Sequence, residues 1–293
     1  MIRPRRSHLY MPGSNQRALD KARNLPADGL ILDLEDSVAA DAKSVARDQI
    51  AKAVAAKGFG KREILIRVNG LDTAWWSEDV AMATKALPDG ILVPKVSSRE
   101  DLDVIGCRLA ELGAPPSVKV WAMIETARAV LHAEELSAAS RDPRARLAGF
   151  VFGPNDISRE TRIRMMPGRA AMIPIFTHSI LATRAYGLEI LDGPYSDINN
   201  SDGFASECAQ ARDLGFDGKT LIHPSQIEAC NATFMPPSEE VARARRIIAA
   251  FELPENATRG AIRLDGQMVE RLHADMARRT IAIADAIAAK DSS

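Results

Sequence analysis

Short apolar runs alternate with longer segments of helical periodicity over residues 8–231. Some runs are almost continuously apolar, such as residues 29–32 and 91–93, as is typical of strands buried on both faces. The alternation indicates βαβ units and a parallel sheet. We predict eight strands, at residues 8–11, 29–36, 63–69, 90–96, 118–126, 147–156, 189–198 and 217–224.

The segments between these strands carry helix-start signals. Ser14 is a candidate N-cap, and Ser98 followed by Asp101 is typical of a capped helix start. We predict helices at residues 14–24, 41–57, 98–112, 203–214 and 225–231. Eight strands alternating with helices favour a closed (β/α)8 TIM barrel over an open doubly wound sheet. The first strand is not followed by Gly-x-Gly-x-x-Gly, which disfavours a dinucleotide-binding fold.

The chain continues past the eighth strand with two more helical patterns, at residues 238–252 and 267–290. We therefore predict a barrel domain over residues 1–232 and additional C-terminal helices over residues 233–293. Such an extension can pack on its own barrel or complete the site of a neighbouring subunit.

Composition and charge narrow the class of protein. The net charge is −1, so no overall basic field recruits nucleic acid. No apolar run approaches the roughly 18 residues that span a membrane. The three cysteines have neither metal-ligand nor redox spacing, which fits a reducing compartment. We expect a cytoplasmic protein with no nucleic-acid or membrane partner.

Polar side chains gather at the C-terminal ends of the predicted strands, where barrel enzymes carry their chemistry. These residues are Asp33, Glu35, Asp36, Arg67, Lys95, Glu125, Asp156 and His223. So many carboxylates around one mouth repel each other unless a cation neutralises them. Oxygen ligands without a Cys/His set favour Mg²⁺, or Mn²⁺, over Zn²⁺. Glu125 and Asp156, at the ends of successive predicted strands, best fit the one or two carboxylates that Mg²⁺ uses.

Four of these residues have more than one interpretation. Glu35 and Asp36 can support a metal's water shell, cap the next helix, or pair with Arg67 and Lys95. Arg67 can be an ion-pair partner, although a guanidinium at a barrel mouth suits bidentate binding of a substrate carboxylate. A Schiff-base role for Lys95 is disfavoured, because neighbouring carboxylates keep a lysine charged.

Several phrases of the sequence resemble the citrate lyase β-subunit-like group of the aldolase/citrate lyase superfamily. They are Arg6-Ser-x-Leu-Tyr-Met-Pro-Gly-Ser-Asn, Asp33-Leu-Glu-Asp-Ser-Val with Lys43 and Arg47 downstream, Arg67-Val-Asn-Gly-Leu-Asp-Thr, Val93-Pro-Lys-Val, Ile124-Glu-Thr-Ala, Phe152-Gly-x-x-Asp, Gly215-Phe-Asp-Gly-Lys-x-x-Ile-His-Pro-x-Gln and Gly266-x-Met-Val-Glu. Together these motifs are specific, although each alone is weak.

The resemblance implies roles for matching residues. Glu125 and Asp156 would bind Mg²⁺, Arg67 would hold the carboxylate of a 2-keto acid, and Glu35 and Asp36 would support the metal's water shell. A CoA thioester would be the substrate, and the family implies a homotrimer or hexamer.

Two further features follow from the same resemblance. In relatives that use CoA the N-terminal segment touches the cofactor, so Arg17 and Lys21 are candidate contacts. Many relatives carry Asp at the end of the last motif, donated as an acid/base group from a neighbouring subunit. This chain has Glu270 there, one methylene longer. Glu270 can serve as that acid or be a surface residue of the last helix.

The expected activity is Mg²⁺-dependent cleavage of a carbon–carbon bond in a 3-hydroxy-3-carboxyacyl thioester of malyl-, citramalyl- or citryl-type. The products would be an acyl thioester and a 2-keto acid. The alternatives are an aldolase for free 2-keto acids, a thioester hydrolase, and a thioester-binding subunit of a larger lyase complex.

Overall fold

A computed structural model describes residues 2–256 and 258–291 of the chain. It divides into two compact units. Arg5–Phe234 form the first unit, and residues 235–291 with residues 2–4 belong to the second.

The first unit is a closed barrel of eight parallel strands within the described residues, each strand pairing with its sequence neighbours and β8 closing onto β1. The strands are β1 Ser7–Pro12, β2 Gly29–Asp33, β3 Glu63–Arg67, β4 Gly90–Val93, β5 Lys119–Ile124, β6 Leu147–Phe152, β7 Glu189–Asp192 and β8 Gly218–Leu221. The predicted (β/α)8 barrel is confirmed.

Helices follow the strands around the barrel. They are α1 Gln16–Ala22, α2 Lys43–Ala55, α3 Trp76–Ala86, α4 Arg99–Glu111, α5 Ala127–Leu131, α6 Ala133–Ala138, α7 Pro154–Thr161, α8 Ile173–Ala185, α9 Ser201–Leu214 and α10 Ile227–Phe234. The predicted start of α4 is confirmed, because Ser98 and Asp101 form a capping box. The predicted cap of α1 is wrong. Asn15, one residue after Ser14, accepts the N–H of Ala18.

Strand side chains alternate between two cores, because successive residues of a strand face opposite sides. One set fills the barrel interior and comprises Ile31, Leu65, Leu92, Trp121, Met123, Val151 and Leu191. Their neighbours in sequence, such as Leu30 and Leu32, join a larger cluster that includes helix residues. This double burial explains the nearly continuous apolar strands.

A cluster of ion pairs lies at the N-terminal end of the barrel strands. Arg5 donates from Nε and Nη2 to the carboxylate of Glu63 at 2.7 and 2.8 Å. His8 Nε2 lies 3.2 Å from the same carboxylate. Burial raises the pKa of Glu63, but the hydrogen bonds and charges of His8 and Arg5 outweigh it and hold the pKa well below its usual range.

Several predicted strands are too long at their C-terminal ends. Strand β2 ends at Asp33, so Glu35 and Asp36 lie in the following turn. Strand β6 ends at Phe152, and Asp156 lies in the first turn of α7, which begins at Pro154. Proline at the first helical position favours a helix start there.

The second unit contains a β-hairpin that the sequence pattern did not predict. Helix α11 (Ser238–Glu252) is followed by β9 (Ala261–Leu264), β10 (Gln267–Glu270) and α12 (Arg271–Asp291). Strands β9 and β10 pair antiparallel, so the prediction of one helix over residues 267–290 is wrong at its start. A small apolar core holds this unit together, comprising Ala244, Ile247, Phe251, Ile262, Val269, Ala274 and Ala277. Across the described residues, no helix has the length and apolar character needed to cross a membrane.

Candidate active site

Arg67, the last residue of β3, is paired with a buried carboxylate of the adjacent strand. Its Nε and Nη2 donate to Oδ1 and Oδ2 of Asp33 at 2.6 and 2.7 Å. The two residues are in register between β2 and β3, so both point into the barrel mouth. Burial raises the pKa of Asp33, but the charge of Arg67 and the hydrogen bonds from Arg67, Ser37 and the Glu35 N–H together outweigh it and hold the pKa below its ordinary value. Arg67 is thus held in a fixed orientation.

Glu35 lies between two cations. Its Oε1 accepts a 3.0 Å hydrogen bond from Lys95 Nζ, and its Oε2 is 2.8 Å from Arg67 Nη1. Among the described residues, this ion pair with Arg67 is the contact made by the buried Oε2, and its geometry is not that of a hydrogen bond. Burial raises the pKa of Glu35, although the Arg67 charge opposes the shift. Asp36 is more exposed, and its carboxylate lies 3.6 Å from Arg67 Nη1.

A buried lysine fixes the turn that carries Glu35. Lys43 is only 6% exposed, and its Nζ donates to the carbonyls of Leu34 and Glu35 at 2.7 and 2.8 Å. The ammonium also lies 5.1 Å from the centre of the Trp75 ring. One buried ammonium therefore holds two consecutive carbonyls of the turn that carries Glu35. The sequence motif contained Lys43, but nothing in its spacing revealed this role.

Glu125 follows β5 and is almost fully buried, at 2% exposure. Its Oε1 accepts a 2.7 Å hydrogen bond from the backbone N–H of Lys95. Burial, together with the charges of Glu35 and Asp156, raises the pKa of Glu125 to about 8. Gly153 makes room for this side chain, because a Cβ there would lie 2.5 Å from the Glu125 Cβ.

Asp156 approaches the same region from the first turn of α7. Its side chain is about a quarter exposed, and Arg159 Nη2 donates to its Oδ1 at 2.8 Å. Its charge contributes to the raised pKa of Glu125, so the two carboxylates are close enough to interact. The structure therefore brings together Glu35, Arg67, Glu125 and Asp156, with Asp36 at the edge.

Lys95 adopts a strained backbone conformation at this site. Its φ is 56°, in the left-handed region that non-glycine residues rarely occupy. Strained residues of this kind concentrate at functional sites. The side chain is 44% exposed and reaches Glu35, while the backbone N–H reaches Glu125. Lys95 thus contacts two of the site carboxylates in two different ways.

The carboxylates fit a hard cation. The charged form of Glu125 is disfavoured by burial and by the charges of Glu35 and Asp156, which raise its pKa. A divalent cation beside these carboxylates would offset their mutual repulsion. In the part of the chain that the structure describes, no three His, Cys, Asp or Glu side chains are arranged to hold a metal. Mg²⁺ typically needs only one or two protein carboxylates, with water and substrate oxygens completing its shell.

The remaining predicted residues lie elsewhere in the fold. Arg17 and Lys21 are exposed on α1, four residues apart and so on the same helix face. Glu270 is the last residue of β10 in the second unit, not a residue of α12, and its N–H donates to His273 Nδ1 at 3.0 Å. His223 caps the short turn after β8, where its Nδ1 accepts the N–H of Ser225.

Comparison with known proteins yields consistent matches. Residues 6–224 match the family HpcH/HpaI aldolase/citrate lyase. The (3S)-malyl-CoA thioesterase of Cereibacter sphaeroides is 46% identical over 286 residues, which cover 98% of this chain and 96% of the relative. The citrate lyase subunit beta of Escherichia coli is 33% identical over 288 residues, covering 97% and 94%.

A solved structure shares both fold and sequence with the chain. The protein CitE of Mycobacterium tuberculosis, in complex with magnesium, acetoacetate and coenzyme A, superposes with a TM-score of 0.73 at 28% identity. The match covers 95% of this chain and 97% of CitE.

Proposed function

The chain belongs to the HpcH/HpaI aldolase/citrate lyase family, and we propose that it is a Mg²⁺-dependent carbon–carbon lyase acting on a 3-hydroxy-3-carboxyacyl-CoA thioester of the malyl-CoA type. The observation that carries the proposal is the buried Glu125, whose pKa is raised to about 8 by burial and by the charges of Glu35 and Asp156. The magnesium and coenzyme A in the CitE structure support the metal and the substrate class.

Glu125 and Asp156 are the residues that would hold the metal. When bound, Mg²⁺ acts as a Lewis acid toward the hydroxyl and carboxylate oxygens of the substrate. Glu35 and Asp36 would accept hydrogen bonds from water around it.

Arg67 would bind the carboxylate that becomes part of the 2-keto acid product. Two of its five N–H groups donate to Asp33 and Nη1 lies 2.8 Å from Glu35 Oε2, so one N–H on each of Nη1 and Nη2 remains for a substrate oxygen. Because Asp33 fixes the guanidinium before the substrate arrives, the Arg67 side chain loses little conformational freedom on binding.

The reaction itself requires two proton transfers. A base takes the proton of the substrate hydroxyl. The bond between the hydroxyl carbon and the thioester α-carbon then breaks, and its electron pair forms a thioester enolate. Protonation of that enolate gives the acyl-CoA, and a 2-keto acid leaves. We assign the second transfer to Glu270, contributed by another copy of the chain in a homo-oligomer. We assign contact with CoA to Arg17 and Lys21 on the exposed face of α1.

Thioester hydrolysis is a second candidate, favoured by the 46% identity to a (3S)-malyl-CoA thioesterase. In that case water attacks the thioester carbonyl, and malate and free CoA leave instead of a keto acid and acetyl-CoA. The metal site and Arg67 serve both reactions, since both start from the same hydroxy acid.

Incubation with (3S)-malyl-CoA and Mg²⁺, followed by mass spectrometry, tests the proposal. We expect acetyl-CoA and glyoxylate in equal amounts, absent with EDTA or in Glu125→Gln. Malate and free CoA in equal amounts would establish the hydrolase instead. No turnover of malyl-CoA or of citramalyl-CoA by folded, Mg²⁺-loaded protein would overturn both candidates.

A further inference from the structure

Lys95 occupies a position where glycine would fit the backbone without strain. Its φ of 56° is freely adopted by glycine and is unfavourable for lysine. The contact with Glu125 uses only the backbone N–H, which glycine also has. The side chain makes a separate contact with the site, because its Nζ donates to Glu35 Oε1 at 3.0 Å.

The side chain of Lys95 holds one oxygen of the Glu35 carboxylate. Lys95 Nζ donates a hydrogen bond to Oε1 at 3.0 Å, and Arg67 Nη1 lies 2.8 Å from Oε2. Lys43 holds the backbone of Glu35 through a hydrogen bond to its carbonyl. Because Arg67 is fixed by two hydrogen bonds to Asp33, replacement of Lys95 frees Oε1 and leaves the Arg67–Asp33 pair in place.

We propose that Lys95 is a positioning residue that keeps the Glu35 carboxylate from joining Glu125 and Asp156 as a direct ligand of the cation. This inference rests on the proposed Mg²⁺ site. A third carboxylate on the ion would bind it more tightly and occupy a position that substrate oxygens need. Lys95 thus lowers metal affinity and preserves the open positions on which turnover depends.

Lys95→Gly removes the side chain and keeps the N–H that reaches Glu125. Lys57→Gly is the matched control, because Lys57 has a φ of 55° and lies just beyond α2. We expect both variants to melt within about 2 °C of the wild type, since relief of backbone strain offsets the extra freedom of unfolded glycine.

The readout is Mg²⁺ affinity by calorimetry, alongside kcat and KM for the thioester. For Lys95→Gly we expect Mg²⁺ binding about three- to tenfold tighter, because one more carboxylate reaches the ion. We also expect kcat to fall about tenfold. Lys95→Arg, which keeps a cation for Glu35, should restore most of both values, and Lys57→Gly should change neither.

The result separates the two proposals. Wild-type protein that binds no Mg²⁺ would overturn the proposed function and this inference together. Wild-type protein that binds Mg²⁺, with a folded Lys95→Gly variant whose affinity is unchanged or weaker, would overturn the positioning role alone.

Discussion

The guanidinium of Arg67 and the carboxylate of Asp33 form a two-bond pair, at 2.6 and 2.7 Å, between adjacent strands inside the barrel. Asp33 is fully buried and Arg67 is 7% exposed. Removing one partner of a buried pair leaves the other charge uncompensated, which is strongly destabilising. The pair therefore both stabilises the barrel mouth and presets the residue that would bind a substrate carboxylate.

Asp33→Asn should affect stability and ligand binding together. The amide keeps the shape of the side chain but loses the charge that orients Arg67, so we expect the free energy of unfolding to fall by about 3 kcal/mol. Affinity for glyoxylate or pyruvate should fall as well. Urea unfolding and calorimetry provide the two measurements. Unchanged keto-acid affinity in a folded variant would show that the orientation of Arg67 does not matter for binding.

Mg²⁺ binding should depend on pH through Glu125. The pKa of Glu125 without metal is raised to about 8, so at neutral pH the metal displaces a proton. Below pH 8 we therefore expect affinity to increase up to about tenfold for each unit of rising pH, and to level off above it. Calorimetry in buffers of different ionisation enthalpy measures the released proton.

Glu125→Gln is the control for that titration, because glutamine has the same shape and no titrating proton. Its residual Mg²⁺ binding should lose the steep dependence below pH 8. A wild-type affinity that stays flat from pH 6 to pH 8 would contradict the assignment of the proton to Glu125.

Gly153→Ala should displace Glu125 without adding any charge. The new Cβ would lie 2.5 Å from Glu125 Cβ and 2.8 Å from its Oε2, closer than side chains approach. We expect Mg²⁺ affinity to fall about tenfold, the usual effect of disturbing the support of a ligand. Gly260→Ala should leave affinity unchanged, because among the described residues no atom beyond the two chain neighbours lies within 4 Å of the new methyl. Equal affinities in the two variants would mean that the room left by Gly153 is not needed.

Glu63 should govern part of the acid sensitivity of the barrel. Its folded-state pKa lies below its ordinary value, so its contribution to stability is complete above about pH 4.5 and is lost as the pH falls through the folded-state value. Glu63→Gln should cost about 3 kcal/mol at pH 7 and weaken the pH dependence of stability below pH 5. Urea unfolding at a series of pH values checks this.

The matched control is Glu78→Gln, in which an exposed carboxylate that pairs with Arg47 is removed. Exposed pairs contribute at most about 1 kcal/mol, so this variant should remain close to the wild type. A loss as large as that of Glu63→Gln would mean that burial does not explain the difference.

The barrel could be predicted because its strands are buried on both faces and its helices are amphipathic. The family resemblance is likewise confirmed by the match over residues 6–224. The hairpin of the second unit was missed although its turn has a strong local signal. Asp265 and Gly266 both have positive φ, and Gln267 pairs with Leu264, which makes a two-residue turn. Asp-Gly is typical of such turns, but the helical periodicity that follows Glu270 obscured it.

The sequence predicted that Glu35, Arg67, Glu125 and Asp156 lie near one another, but not their contacts, and the roles assigned to them stay predictions. The C-terminal ends of barrel strands lie close together, which predicted that Glu35, Arg67 and Glu125 are neighbours. The same pattern predicted Asp156 on a strand, whereas a helix begins at Pro154. The pairing of Arg67 with Asp33 depends on register between β2 and β3, which one-dimensional patterns do not contain. The left-handed conformation of Lys95 is equally invisible in a sequence, because lysine has no preference for it.

A Mn²⁺ titration followed by electron paramagnetic resonance shows whether Glu125 and Asp156 together hold one divalent cation. We expect one Mn²⁺ per chain, displaced by Mg²⁺, with binding weakened about a hundredfold or more in both Glu125→Gln and Asp156→Asn. A wild-type protein that leaves Mn²⁺ free, or variants that bind it as tightly as the wild type, would contradict this assignment.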